Sequence, residues 1–392
     1  MANNLTFDQI SSILNTIVSE ATGAQTLTPT STKDFITVAQ MGLKAGYDPL
    51  NTAISQVLGR TIISNRPYYR KFKGLEVSNQ KWGSITRKIN FADQTFVDDD
   101  QFSLTDGFSI DQYVVRKPKA VEMSFYGATE VSDYITRYQD QLDNAFRGPD
   151  EFAEFISAMF QNISDRHEQK HEALARACIG NLITGVVTGG GTDQVVHLLT
   201  EYNAETGITP PLTSTTVYDP ANYPAFMRWA YARIAVAQDF LTERSQIFHM
   251  NVTGKELQRH TPYERQRLLM YAPAIRQMQA RVLTDAFHDD YLKYSYLELV
   301  NYWQAIDTPD EVQGLPAYID NTGAIVNAGA SVSVDKIFAV LFDEEAAGYT
   351  VMNHRMAATP LNARGLYTNY WWHFVDRWFN DFSENAVVFT LD

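Results

Sequence analysis

Cysteine is almost absent. Cys178 is the only one in 392 residues, which excludes an intrachain disulfide framework and a cysteine-based zinc cluster. No stretch approaches about 18 uninterrupted apolar residues, so no membrane-spanning helix is expected. The opening residues, MANNLTFDQISSILN, lack a basic segment followed by an apolar one, so no secretory signal is read there. The Asn-X-Ser/Thr triplets at Asn4, Asn162 and Asn251 then carry little weight. Positive charge is scarce as well: 32 Lys and Arg oppose 46 Asp and Glu, a net charge of −14. A phosphate-gripping surface needs clustered cations, so this balance argues against nucleic-acid gripping, although such a surface is free to sit near DNA. The glycine run 189–191 continues into Thr192-Asp193. It lacks the lysine of a phosphate loop and reads as a flexible loop. No Ser/His/Asp arrangement stands out by spacing, and no fixed-period repeat is found.

What is present is enough apolar content, 45%, to bury a core across two or three domains. The organising stretch is Gly148 to Gly180, read as one long helix. Pro149 suits the first helical position. Asp150, Glu151 and Glu154 place negative charge at the positive end of the helix dipole. Phe152, Phe155, Ile156, Met159, Phe160 and Ile163 recur at helical spacing, and Gly180 reads as the stop. The middle, Ser164 to Glu172, is polar, which predicts a strut with a solvated centre.

Before the strut, Phe7, Ile10, Ile13, Leu14 and Ile17 form an amphipathic stripe. A Thr-rich linker follows, then a short helix from Asp48 to Leu58. This reads either as a loosely packed terminus or as an arm lying on a neighbouring subunit. Residues 82–91 alternate with the period of a strand. Asp98-Asp99-Asp100 and Thr105-Asp106-Gly107 mark turns, and Tyr113 to Lys117 reads as the return strand. The excursion has basic stems and an acidic tip. An isolated ribbon is marginal in water, so it rests on the parent body or on another subunit. Residues 131–180 are read as holding a short helix and then the strut, and 181–222 as loop-rich. A helical segment covers Tyr223 to Leu241, a strand Gln246 to Val252, and a helix Pro262 to Leu283. Strands are expected at Tyr296 to Trp303, Lys336 to Phe342 and Asn385 to Leu391. Between Tyr367 and Trp378 helical and strand spacing both fit.

One stretch invites a chemical reading. His167-Glu168-Gln169-Lys170-His171 matches H-E-x-x-H on a helix, where two His one turn apart bind zinc and the Glu activates water. Gln169 and Lys170 stand where such an enzyme packs apolar side chains, and Lys170 would repel the metal. Ordinary charge contacts on a solvated helix are the plainer reading. Cys178 reads as a small hydrophobe. Asp98 to Asp100 lack an EF-hand frame, and His373, among Trp371, Trp372 and Phe374, reads as a core or interface residue.

The order of parts carries a resemblance, as do Tyr69-Arg70-Lys71-Phe72-Lys73-Gly74, Asn362-Ala363-Arg364-Gly365-Leu366-Tyr367-Thr368-Asn369-Tyr370-Trp371-Trp372-His373 and Asn385-Ala386-Val387-Val388-Phe389. The chain resembles tailed-phage major capsid proteins of the HK97 fold, those of the phi29 type above all. The resemblance implies an α+β, HK97-like capsid fold. It would have an N-terminal arm (1–66), an extended β-ribbon loop (67–118), a peripheral domain (119–222) with spine helix 149–180, an inserted axial domain (223–348) and return strands of the peripheral domain (349–392). It implies a non-enzymatic shell protein, without cofactor or metal, whose hexamers and pentamers form an icosahedral or prolate head in the virion, assembled in the host cytoplasm. Expected partners are further copies, a separate scaffolding protein, a portal, and packaged double-stranded DNA bound without sequence preference, with no membrane. Arg70, Lys71, Lys73, Asp98, Asp99, Asp100, Arg116 and Lys117 are the expected inter-subunit contacts. An encapsulin-like compartment and a zinc hydrolase built on His167, Glu168 and His171 are the alternatives.

Overall fold

A computed structural model of the chain describes residues 6–23, 28–60, 72–76, 85–94, 96, 105–107, 109–110, 113, 115–126, 129–281, 296–327 and 329–392. Three helices come first, α1 Phe7–Thr22, α2 Thr32–Lys44 and α3 Tyr47–Arg60. Strands β1 Ile85–Phe91, β2 Ala120–Tyr126 and β3 Thr129–Tyr138 follow, then α4 Gln139–Ala145 and α5 Pro149–Gly189. Next come β4 Val195–His197, α6 Leu198–Thr206, α7 Tyr223–Thr242, β5 Gln266–Tyr271, α8 Ala272–Arg281 and β6 Tyr296–Val300. Short strands β7 Val312–Gly314, β8 Ala317–Ile319, β9 Ile325–Asn327 and β10 Val332–Val334 lead to β11 Ile337–Asp343, β12 Ala347–Ala358, β13 Tyr367–Asn380 and β14 Ala386–Thr390.

Helix α5 is the common wall. Its 41 residues span about 60 Å, about a quarter more than the expected 148–180. Gly180 does not stop it, because packing forbids a side chain there rather than a turn requiring one. A Cβ on Gly180 would sit 3.0 Å from Val312 Cγ1, and one on Gly185 2.4 Å from the Phe382 ring. Gly189 and Gly190 are likewise closely packed, since a Cβ on Gly189 would meet Tyr318 at 2.3 Å and one on Gly190 would meet Val186 O at 2.4 Å, whereas Gly191 is exposed.

Two sheets lie along this helix. The first is antiparallel, ordered β12-β13-β3. The inward side chains of β13, Tyr370, Trp372 and Phe374, join Phe152 and Ile156 of α5 and Leu14, Ile17, Phe35, Leu50 and Ile54 of α1–α3 in one core. The described N-terminal residues are therefore not loosely packed. Helix α2, capped by Ser31 accepting Asp34 N–H, begins in the last three residues of the Thr-rich linker (21–34) and continues to Lys44. Side chains 55–60 and 158–164 lie outside the described residues, so the stripe positions Met159, Phe160 and Ile163 are not assessed. The doubtful stretch 367–378 is strand: Thr368, Tyr370, Trp372, Phe374 and Asp376 alternate inward, a period of two.

The second sheet is mixed, ordered β4-β14-β11-β5-β6. Its central strand β11 is buried on both faces, which is why IFAVLF is a continuous apolar run. Phe338 and Leu341 of β11 with Val387 and Phe389 of β14 face α6, α7 and α8. Ile337, Val340 and Phe342 with Ala386 and Val388 face Ala175, Cys178, Leu182, Ile183 and Val186 on the C-terminal half of α5. Four expectations change here. Strand β14 joins this sheet rather than β12 and β13. Residues 198–202 pack in the same core as α7, on the other side of the expected boundary at 223. Gln266–Tyr271 is strand, not helix, because it is the inner neighbour of β11. Residues 246–252 form no strand, yet Phe248 O accepts from Ala386 N–H at 2.9 Å. Among the described residues no helix is long and apolar enough to cross a membrane.

The glycine packing has a decisive test. Helix propensity alone would favour Gly185→Ala by about 1 kcal/mol, but overpacking typically costs about 1–3 kcal/mol. Equilibrium urea unfolding should show Gly185→Ala less stable than the parent; a more stable variant would show that Phe382 yields freely.

Candidate assembly surface

The ribbon exists, with its return strand later than expected. β1 pairs antiparallel with β2, from Ile85 opposite Tyr126 to Phe91 opposite Ala120. The described positions among 113–117 are not strand. Alternation divides the ribbon's base into two faces. Lys88 and Asn90, with Val121, Met123 and Phe125, face the body, where Met123 is buried and Phe125 lies 5.8 Å from the Phe379 ring. Ile89 (58% exposed) and Phe91 (68%) face outward, and Phe96 (103%), Tyr113 (80%) and Val115 (78%) extend the exposed apolar character beyond the paired strands. Single exposed apolar residues are ordinary; a run of them along one thin element marks a contact surface.

The base is fastened by polar contacts. Asp93 accepts from Arg244 Nη2 at 2.6 Å and from Gln258 N–H at 2.9 Å. Lys119 Nζ donates to Gly254 O at 2.8 Å. Lys88 reaches Asp381 Oδ2 and Glu345 Oε2, each at 2.9 Å, and also bonds Glu384. Burial alone would push Lys88 toward its neutral form; Asp381 and then Glu384 outweigh it and hold the ammonium well above the ordinary lysine range.

Arg70, Lys71, Asp98, Asp99 and Asp100 lie outside the described residues, and Lys73 is described only in its backbone, within a short 3-10 turn. Arg116 and Lys117 are exposed on the segment entering β2, where Lys117 O accepts from Gln94 Nε2 at 3.2 Å. Lys88, Asp93 and Lys119 were missed. The only available signal was the alternation that already set Lys88 and Arg87 on opposite faces.

The H-E-x-x-H stretch is half-buried against β13, not solvated. His167 stacks on Phe374 with centroids 4.1 Å apart, and His171 lies 4.0 Å from His167. His171 Nε2 approaches Asp376 Oδ1 at 3.3 Å, and Lys170 Nζ bonds Asp376 Oδ2 at 2.7 Å. Donor atoms of His167, Glu168 and His171 lie within 4.8 Å of one another, but His171 turns its nitrogen to Asp376, and the Lys170 ammonium shares that carboxylate. A divalent cation fits this set poorly, and the arrangement serves as a clasp between α5 and β13. One turn on, buried Arg176 bonds Glu172 at 2.6 Å and also Tyr302 O, between the rings of Phe72 and Tyr302. Cys178 is fully buried, as its helical position suggested, and burial pushes its thiol up to about 12. His373 is exposed, its ring parallel to Trp371. His249 is a buried histidine held by Leu257 O and Asn385, its pKa lowered chiefly by burial.

With this geometry in place, a family model for the Phi29-like phage major capsid protein matches residues 14–390. No curated protein matches the chain. Among solved structures, a chain of the capsid structure of Staphylococcus phage Andhra is similar at TM-score 0.56 and 9% identity, covering 85% of this chain and 87% of that one. A chain from the structure of head fiber and inner core protein gp22 of native bacteriophage P68 gives TM-score 0.55 and 11% identity over 85% and 87%. At such identities the likeness establishes the fold.

The clasp predicts an acid response. Burial would raise Asp376, but hydrogen bonds from His171 and Lys170 hold it below the usual carboxylate range. Its contribution is therefore complete at neutral pH and lost as pH falls through the depressed folded value. Asp376→Asn should lower stability by about 3–5 kcal/mol at neutral pH, as when one partner of a buried pair is removed. The gap from the parent, read by denaturant unfolding, should narrow as pH falls below the ordinary carboxylate range; a gap that stays constant would contradict the clasp.

Proposed function

Because this chain belongs to the Phi29-like phage major capsid protein family, we propose that its copies close into hexamers and pentamers that tile a head around double-stranded DNA. The coarser statement needs no proposal: it is a phage major capsid protein, of an HK97-like fold, and its homo-oligomeric shell is the virion's wall. The family match over 14–390 carries the reading and favours it over a compartment shell or a zinc hydrolase. The family is structural, and we assign this chain no reaction. In our reading residues 1–66 are an arm and 67–118 the loop that reaches a neighbour. Residues 119–222 with 349–392 make up most of the peripheral part and 223–348 the axial part, except that residues 198–202 and β14 pack with the axial elements α7 and β11. The chemistry supports this reading: a subunit exposing one apolar ribbon joins head-to-tail, and such contacts close into rings. A net charge of −14 suits a wall that must not hold packaged DNA electrostatically. A separate scaffolding protein, a portal and assembly in the host cytoplasm belong to the same reading.

The paired substitution Ile89→Ser and Phe91→Ser removes the outward apolar groups without touching the buried face. Sedimentation velocity should show assembly sharply reduced while the monomer's thermal unfolding is unchanged. Deletion of 95–105 is expected to act the same way. Normal particle yields from both variants would remove the ribbon from the contact.

A further inference from the structure

The body side of the ribbon holds a second feature, separate from its outward contact. Lys88 carries its charge into the body, and it enters a socket that is acidic before it arrives. Asp381 and Glu384 lie in the turn after β13 and are almost fully buried. Asp381 Oδ1 is already satisfied by Ser383 N–H at 2.9 Å and Ser383 Oγ at 2.7 Å, leaving Oδ2 for Lys88. Glu384 is shared between Lys88 and Arg259 Nη2, the latter at 3.1 Å. Glu345, in the turn between β11 and β12, is shared between Lys88 and Arg265. Around this core, Arg265 also reaches Asp343 and Glu344, and Arg267 of β5 reaches Glu344 at 2.9 Å.

We infer that Lys88 is an ionic latch that fastens the ribbon's base to the socket of Asp381, Glu384 and Glu345, and that lifting the ribbon draws protons into that socket. Seated, Asp381, Glu384 and Glu345 all pair with Lys88. Lifted, Glu384 keeps Arg259 and Glu345 keeps Arg265, while Asp381 is left with the neutral donors of Ser383. Withdrawing a cation from a cluster of carboxylates favours proton uptake by the cluster. Burial already raises Glu384 above the ordinary carboxylate range even with Lys88 and Arg259 lowering it. The lifted state therefore binds more protons than the seated one, and falling pH favours lifting. This holds whether or not the ribbon reaches a second copy.

The test is amide hydrogen exchange of the full chain, corrected for intrinsic rates, at about pH 8 and about pH 5. In the parent, exchange in 85–91 and 120–126 should rise about tenfold at the lower pH, with α5 and β11 unchanged. Lys88→Gln should exchange fast at both values, and Lys88→Arg should restore protection. Equal protection of 85–91 in Lys88→Gln and parent, or no pH response in the parent, would overturn the latch. If Lys88→Gln also loosens α5 and β11, Glu384→Gln decides. It keeps Lys88 on Asp381, so it should stay protected and lose most of the pH response; an undiminished response would overturn the inference.

Discussion

A helix about 60 Å long has more surface than one sheet can cover, and that constraint organises the molecule. The N-terminal part of α5 is covered by β13 and three short helices, the C-terminal part by a five-stranded sheet. The two cores are chemically alike, and an apolar join would leave their register along the helix weakly specified. The polar seam between them sets it. Asp376 accepts from His171 and Lys170, and Arg176 bonds Glu172 and Tyr302 O. Buried polar groups are costly unless paired, so a slip of one helical turn would strand several of them at once.

The ribbon obeys the opposite logic. It is two strands wide, which is marginal by itself. Its body-facing side carries Lys88, Asn90 and Met123, its outward side Ile89 and Phe91. One side fastens it to the body and the other exposes apolar side chains. Its charged fastening is weakened by salt to the extent that it is exposed to solvent.

Much of this was legible from residues alone. The start of α5, the period of β1, the run of β11 and the helix at 223–242 follow from patterning that local chemistry dictates. The misses have physical causes. Gly180 looked like a stop because its packing partner, Val312, is distant in sequence. The polar middle of α5 looked solvated because its partners, Asp376 and Tyr302, are equally distant. Gln266–Tyr271 is strand because β11 lies beside it, which no local spacing reveals. Thr32–Lys44 was hidden behind threonines that serve the turn and the Ser31 cap. Of the ribbon's contacts, the exposed apolar residues were readable in principle from the same alternation, whereas Lys88's socket required β13 and β14 to be placed first.

Electron microscopy of the protein, expressed alone and together with its neighbouring genes, bears most directly on the central claim that this is a shell subunit. The account predicts closed shells, or rings of five and six subunits, in at least one of the two preparations. A protein that remains monomeric in both would contradict it.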